Sequence, residues 1–186
     1  KTKKIEFLFL SKNNGVGGAT LKGFKIASNQ GYDILIKFDS DNQHKVKDLS
    51  KIVKFLQNKN VLFCKGYRDL RFINALKRKM PLVRILGTNG LTIISRLITL
   101  NFSLKDVTNG LFGIKSELFK KLNTKYIKNN YFFEQDLIFQ ICLKKVKIHQ
   151  INSEVLYENE TSSLKILKII IPFTFYHIHN LLRKYS

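Results

Sequence analysis

Two periods of hydrophobic and polar positions alternate along the chain. Short apolar runs at Ile5–Leu10, Ile34–Phe38, Val61–Cys64, Leu111–Lys115, Val146–Ile151 and Val155–Tyr157 have the length and branching of strands. Helical spacing fills the intervals. One helix leads from a glycine-rich loop to Gln30, with Gly31 as its C-cap. In the next, Val46, Leu49, Ile52, Val53 and Leu56 share a face. Further helices are predicted over Phe72–Lys79 and Thr88–Thr99, on either side of Pro81. Another covers Glu117–Leu122 behind an N-capping Ser116, and Phe132–Leu143 forms the next. A last one starts at Ser162 or Ser163. Strands that alternate with helices predict an α/β fold, a mostly parallel sheet flanked by helices. With 186 residues and no repeat or linker, the chain fits one domain.

The run Asp33-Ile-Leu-Ile-Lys-Phe-Asp39-Ser-Asp41-Asn-Gln43-His44 is where pattern turns into chemistry. The strand stops at two acids spaced one apart, at the carboxyl end where open α/β sheets collect ligands. Side chains alternate along an extended chain, so Asp39 and Asp41 point the same way. Two hard oxygen donors on one side suit Mg²⁺ or Mn²⁺ bridging a diphosphate; a solvated acidic turn has the same spelling. The loop Asn13-Asn-Gly15-Val-Gly17-Gly18 lacks the dinucleotide fingerprint, having Thr20 where glycine is needed, and lacks a P-loop lysine. It is either a tight turn or a place where backbone amides approach an anion.

Composition narrows the classes. Two distant cysteines, Cys64 and Cys142, read as core residues in a reducing compartment. The four histidines are not at metal spacing, and an EF-hand reading fails at His44 and Ser50. A net charge of +20 suits polyanions or an anionic membrane surface, yet the excess is spread along the whole chain. Aromatic residues fall in strands and apolar helix faces, which argues against a nucleic-acid binder. Leu164–Leu182 is the most apolar stretch, but Lys165, Lys168, Pro172, His177 and His179 interrupt it. It falls short of the roughly 20 apolar residues needed to span a bilayer and fits a helix lying on one. Glu134 and Asp136 sit among apolar residues, where desolvation raises a carboxyl toward base strength, although a helix start also favours acids. Arg68, just past a strand, is a phosphate clamp or one of 33 basic residues.

The order of the pieces is informative. Asn-x-Gly-x-Gly-x-Ala, a helix, Gly31-Tyr-Asp33, a strand and Asp39-x-Asp41-x-Gln43-His44 resemble the family 2 glycosyltransferases, in particular the polyprenyl-phosphate and dolichol-phosphate sugar transferases. Gly66-Tyr-Arg68, Gly87-Thr-Asn89, Asp106-Val-Thr-Asn-Gly110 and Phe133-Glu-Gln-Asp136-Leu continue the resemblance over nearly the whole chain. It implies a GT-A fold, a nucleotide-sugar donor and a lipid-phosphate or glycan acceptor. By the same resemblance Asp39, Arg68, Gly15 and Gly17 lie on the donor side. Asp41 and Gln43, with Asp39, hold the metal. Asp106, Thr108 and Asn109 face the acceptor, and Asp136, or secondarily Glu134, is the catalytic base.

The expected organisation is a catalytic domain over residues 1–163 and an amphipathic helix over 164–186, the protein being cytoplasmic and peripheral at the inner membrane face. Two departures from the family pattern stand out. Gly110-Leu-Phe112 lacks the family's arginine, and the opening Pro-x-x-Asn-Glu turn and Asp-Asp-Gly-Ser stretch do not precede Lys1. The catalytic domain is therefore expected to be incomplete at its N-terminal side. The alternative is a glycosyltransferase-fold remnant, or membrane-surface module, without turnover.

Overall fold

The computed structural model describes residues 5–40, 44–71, 74, 80–130, 132–155, 172, 175, 176, 178 and 179. The elements in chain order are α1 (Gly15–Asn29), β1 (Ile34–Lys37), α2 (Val46–Gln57), β2 (Phe63–Tyr67), α3 (Leu82–Thr99), β3 (Phe112–Lys115), α4 (Ser116–Lys121), a 3₁₀ turn at Thr124–Tyr126, α5 (Phe133–Leu143) and β4 (His149–Asn152). The sheet runs β1-β3-β2-β4.

Alternation along the strands sorts the core into two layers. Leu35, Phe63, Phe112 and Ile114 face one side and pack with Phe24 of α1 and Phe133, Leu137 and Ile141 of α5. Ile34, Ile36 and Cys64 face the other, against Ile52 and Leu56 of α2. Helix α2 lies close because Gly113 is a glycine: a Cβ there would stand 2.6 Å from both Ile52 and Leu56.

The expected α/β architecture is present, and its sheet is mixed by one reversed strand. Strands β1, β2 and β4 run the same way, but β3 lies between β1 and β2 and is antiparallel to both. Alternating helices and strands do not reveal at which end a connection returns to the sheet. Here the chain between β2 and β3 re-enters at the carboxyl end of β1, pairing Lys37 with Phe112. The reversal places the loop Asp106–Leu111 beside Asp39 and Arg68.

Other expectations shift for physical reasons. Ile5–Leu10 is not a strand: Ile5, Phe7 and Phe9 are 77%, 80% and 87% exposed. Strand propensity requires a ladder partner, and no described strand pairs with this run. Helix α3 begins six residues before Thr88, because Gly87 lies buried inside a helix that a sequence reading ends at glycine. Strand β2 continues past Cys64 to Tyr67, because β4 pairs with Lys65, Gly66 and Tyr67. Val155 forms only an isolated bridge with His44. The helix expected at 72–79 lies outside the described residues except for Asn74, as does most of 164–186, of which 172, 175, 176, 178 and 179 are helical.

The glycine loop is a packing device. Gly15 takes φ +69°, and its N–H donates to Asn13 Oδ1 at 2.8 Å. The Gly17 N–H donates to the Asn129 carbonyl at 3.0 Å. Both amides are thus engaged within the chain. A Cβ on Gly17 would lie 2.5 Å from the Lys128 carbonyl oxygen and 2.8 Å from the Phe133 ring. Gly17→Ala is expected to destabilise by about 1–3 kcal/mol, seen as a lower urea midpoint at unchanged slope. A midpoint equal to wild type refutes the packing role.

Candidate active site

The carboxyl ends of β1 and β2 and the amino ends of β3 and α5 meet around a cleft of about 260 Å³, walled by Lys37, Asp39, Arg68, Asn109, Gly110 and Glu134. Lys37 is the last residue of β1 and is buried. Its Nζ donates to Asp39 Oδ1 at 2.9 Å and Oδ2 at 2.7 Å, and lies 3.8 Å from Glu134 Oε1. One internal ammonium therefore bridges two carboxylates, with the Gly110 carbonyl as a further acceptor at 3.4 Å. The Asp39 side chain remains 41% exposed at the mouth.

Glu134 stands in the first turn of α5. Burial raises its pKa above the ordinary glutamate value, and the nearby Lys37 charge opposes that rise in part. Asp136 is two residues on, about 200° round the helix, and does not line the cleft. It is buried; its Oδ2 accepts the Lys128 N–H at 2.8 Å and its Oδ1 the Tyr176 hydroxyl at 2.6 Å. The Tyr176 ring stacks on Phe132, with centroids 5.4 Å apart. Glu134 thus reaches the cleft, while Asp136, the base implied by the resemblance, ties the segment before α5 to Tyr176.

The other residues form a second knot behind the cleft. Arg68 donates from Nε to Asp106 Oδ2 at 2.7 Å and from Nη2 to Oδ1 at 3.1 Å. Its backbone N–H also reaches Oδ2. Asp106 further accepts the Thr108 N–H and hydroxyl, both at 3.0 Å, and the buried Lys65 ammonium donates to its backbone carbonyl. Burial alone would raise the Asp106 carboxyl; the Arg68 charge and hydrogen bonds, with Lys65, hold it well below the usual range. Burial pushes Lys65 down to about 8, against the pull of Asp106. Asp106 and Thr108 thus brace Arg68 and the loop leading to β3. Asn109 is different: its Oδ1 accepts the Leu111 N–H at 2.9 Å, while its buried Nδ2, beside the cleft, has no partner among the described residues.

Arg68 also lines a second cavity, of about 430 Å³, with Tyr67, Asp69, Arg71, Arg96 and Lys105. Four cations there outnumber one carboxylate, so the cavity favours anions.

Asp41 and Gln43 lie outside the described residues, and among those described no three acidic, histidine or cysteine side chains form a metal cluster. The donor chemistry fits a hard divalent ion: Asp39 is a half-exposed carboxylate at the mouth, with a second acid and an amide oxygen next along the chain. Lys37 was invisible to sequence reasoning, although a lysine inside a strand that otherwise faces the core was the available signal.

These features define a class. A mixed sheet with an acidic loop after one strand, facing the return loop of an antiparallel neighbour, is the GT-A arrangement. The chain is similar in shape to glucosyl-3-phosphoglycerate synthase from Mycobacterium tuberculosis. The form in complex with phosphoglyceric acid gives a TM-score of 0.60 at 17% identity, covering 94% of this chain and 56% of that one. The form with Mn²⁺, uridine diphosphate and glucosyl-3-phosphoglycerate gives 0.54 at 18%, covering 91% and 55%. Residues 1–123 match the profile of Glycosyl transferase family 2, and the chain belongs to that family. It is 27% identical over 166 residues, 89% of this chain, to the UDP-N-acetylglucosamine–dolichyl-phosphate N-acetylglucosaminyltransferase of Methanococcus voltae. To the undecaprenyl-phosphate mannosyltransferase of Micrococcus luteus it is 23% identical over 137 residues, 73% of the chain. The chain spans 64% and 54% of the lengths of these two relatives.

Proposed function

We propose that the chain carries the acceptor-side and catalytic part of a metal-dependent, inverting glycosyltransferase. It would move a sugar from a nucleotide-sugar to a lipid phosphate, with a glycan as the alternative acceptor, in cell-envelope glycan synthesis at a membrane surface. One observation carries the reading: Lys37, Asp39, Glu134 and an Asn109 amide with no partner among the described residues converge on one cleft at the sheet end, next to a cationic cavity that shares Arg68. The relatives named for polyprenyl-phosphate acceptors and the solved neighbour holding Mn²⁺ and uridine diphosphate support it.

Asp41 and Gln43, with Asp39, would hold Mg²⁺ or Mn²⁺. When bound, that ion neutralises the departing nucleoside diphosphate, so no protonated acid is needed there. Lys37 fixes Asp39 and Glu134 in place and tempers their mutual repulsion. The second cavity presents the acceptor anion, with Arg68 held between the two sites by Asp106. The acceptor oxygen bonds to the anomeric carbon as the bond to the diphosphate oxygen breaks, and the electron pair leaves with the nucleoside diphosphate. A single displacement inverts the centre. Glu134 takes the acceptor's proton where there is one, and otherwise orients the acceptor. Asp136 positions the helix that carries Glu134.

Thermal unfolding with UDP, GDP, CDP or dTDP, each with and without Mn²⁺, tests the donor side. A nucleotide at about 100 times its dissociation constant adds roughly 2.7 kcal/mol, an upward shift of several degrees at this size. A Mn²⁺-dependent shift for one nucleotide, lost in Asp41→Asn, is expected. No shift with any of the four defeats the donor-site reading and favours a fold without turnover.

A further inference from the structure

Helix α3 is turned inside out. Its exposed positions are Leu82, Val83, Leu86, Ile93 and Leu97, every one apolar and 52–67% exposed. Its buried positions include Thr88, Thr92 and Ser95. Amphipathic helices of soluble proteins are arranged the opposite way. The spacing 82, 86, 93, 97 keeps the leucines and isoleucine on one stripe, and Leu100 and Phe102, 64% and 66% exposed, prolong it. The inward polar groups stay within the protein: the Thr92 hydroxyl donates to the Thr88 carbonyl at 2.8 Å, and Ser95 is buried. An exposed apolar stripe of this kind marks an interaction surface.

We infer that this face of α3 seats the protein on an anionic lipid surface, in the plane of the headgroups. Charge selects the occupant. The chain carries +20, so a second copy laid on the same face would bring two strongly cationic bodies together, whereas an anionic bilayer attracts them. In the sequence Lys77-Arg78-Lys79 precedes the helix, and Arg96 flanks the stripe. Length excludes a span: no helix among the described residues is long and apolar enough to cross a membrane, α3 included. Position gives the seat a purpose. Asn89 and Arg96, beside the stripe, line the cationic cavity, so a lipid phosphate held at the surface would lie beside that cavity. The choice of a lipid partner rests on the lipid-phosphate reading above; the inverted face does not.

The test is co-flotation with vesicles of phosphatidylcholine alone and of phosphatidylcholine with phosphatidylglycerol, comparing wild type with the Leu86→Gln, Leu97→Gln double variant. Wild type should bind the anionic vesicles preferentially, and the variant about tenfold or more weakly. Binding by the variant equal to wild type overturns the inference, since charge alone would then suffice. Concentration-dependent self-association of wild type that the variant abolishes also overturns it, in favour of a second copy. The chain has no tryptophan, so Leu97→Trp supplies an independent reporter. Its emission should shift to the blue on anionic vesicles, and an unshifted spectrum from vesicle-bound protein refutes the seat. The nucleotide-dependent thermal shift, measured without lipid, separates this failure from failure of the donor site.

Discussion

Replacing Glu134 by Gln is expected to lower turnover by about 10²–10⁴-fold with the fold intact, assayed with whichever donor the thermal shifts identify and an acceptor that has a proton to give. The substitution keeps size and hydrogen-bonding reach but cannot accept a proton. Its neighbour Lys37 keeps both bonds to Asp39, so the cleft retains its frame. The pH profile gives the sharper signature. Burial raises the Glu134 pKa, so the basic form appears only at a pH above the ordinary glutamate range. The wild-type rate should therefore climb with pH through that raised value, and the climb should vanish in Glu134→Gln. The comparison variant is Asp136→Asn. It alters a buried carboxylate that accepts the Lys128 N–H and the Tyr176 hydroxyl, so it should reduce stability while the pH limb persists. If Asp136→Asn removes the limb and Glu134→Gln keeps it, the assignment of the base is wrong.

That pair of acids shows where sequence reasoning stops. Both were legible as carboxylates in an apolar setting at a helix start, but two residues apart on a helix they face opposite ways. Only the packing of Phe133 into the core decides which one meets the cleft. Asp39 was legible because an apolar run ended on it, and Asp106–Gly110 through the family resemblance. Lys37 and Lys65 were not, because 33 basic residues hide the few that lie buried, these two and Arg68 among those described. The direction of β3 was likewise hidden, since a strand's periodicity is the same read from either end. The outward face of α3 was illegible for a related reason: periodicity reveals an apolar stripe, but not whether it points into the protein or away from it.

Asp106→Asn should be the most destabilising single change in the site, by about 3–5 kcal/mol, because it leaves a buried guanidinium without its counter-charge. Arg68 loses both charged contacts, and Lys65, already pushed down to about 8, loses the neighbour that favours its ammonium. At about 2–4 °C per kcal/mol the melting temperature should fall by roughly 6–20 °C. The pH dependence has a definite sign. A carboxyl whose folded pKa is depressed contributes stability above its unfolded value of about 3.9, and that contribution fades as pH falls toward the folded value. Wild type should thus lose this share only in strong acid, whereas the variant lacks it at neutral pH and the two curves converge on acidification. Adding Arg68→Met to Asp106→Asn should restore part of the loss, since the unpaired charge leaves with the guanidinium. A single variant within about 0.5 kcal/mol of wild type in urea would mean that the pair contributes no more than an ordinary surface contact. Asp106 would then be free to meet an acceptor, and the brace assigned to it behind the cleft would have to be given up.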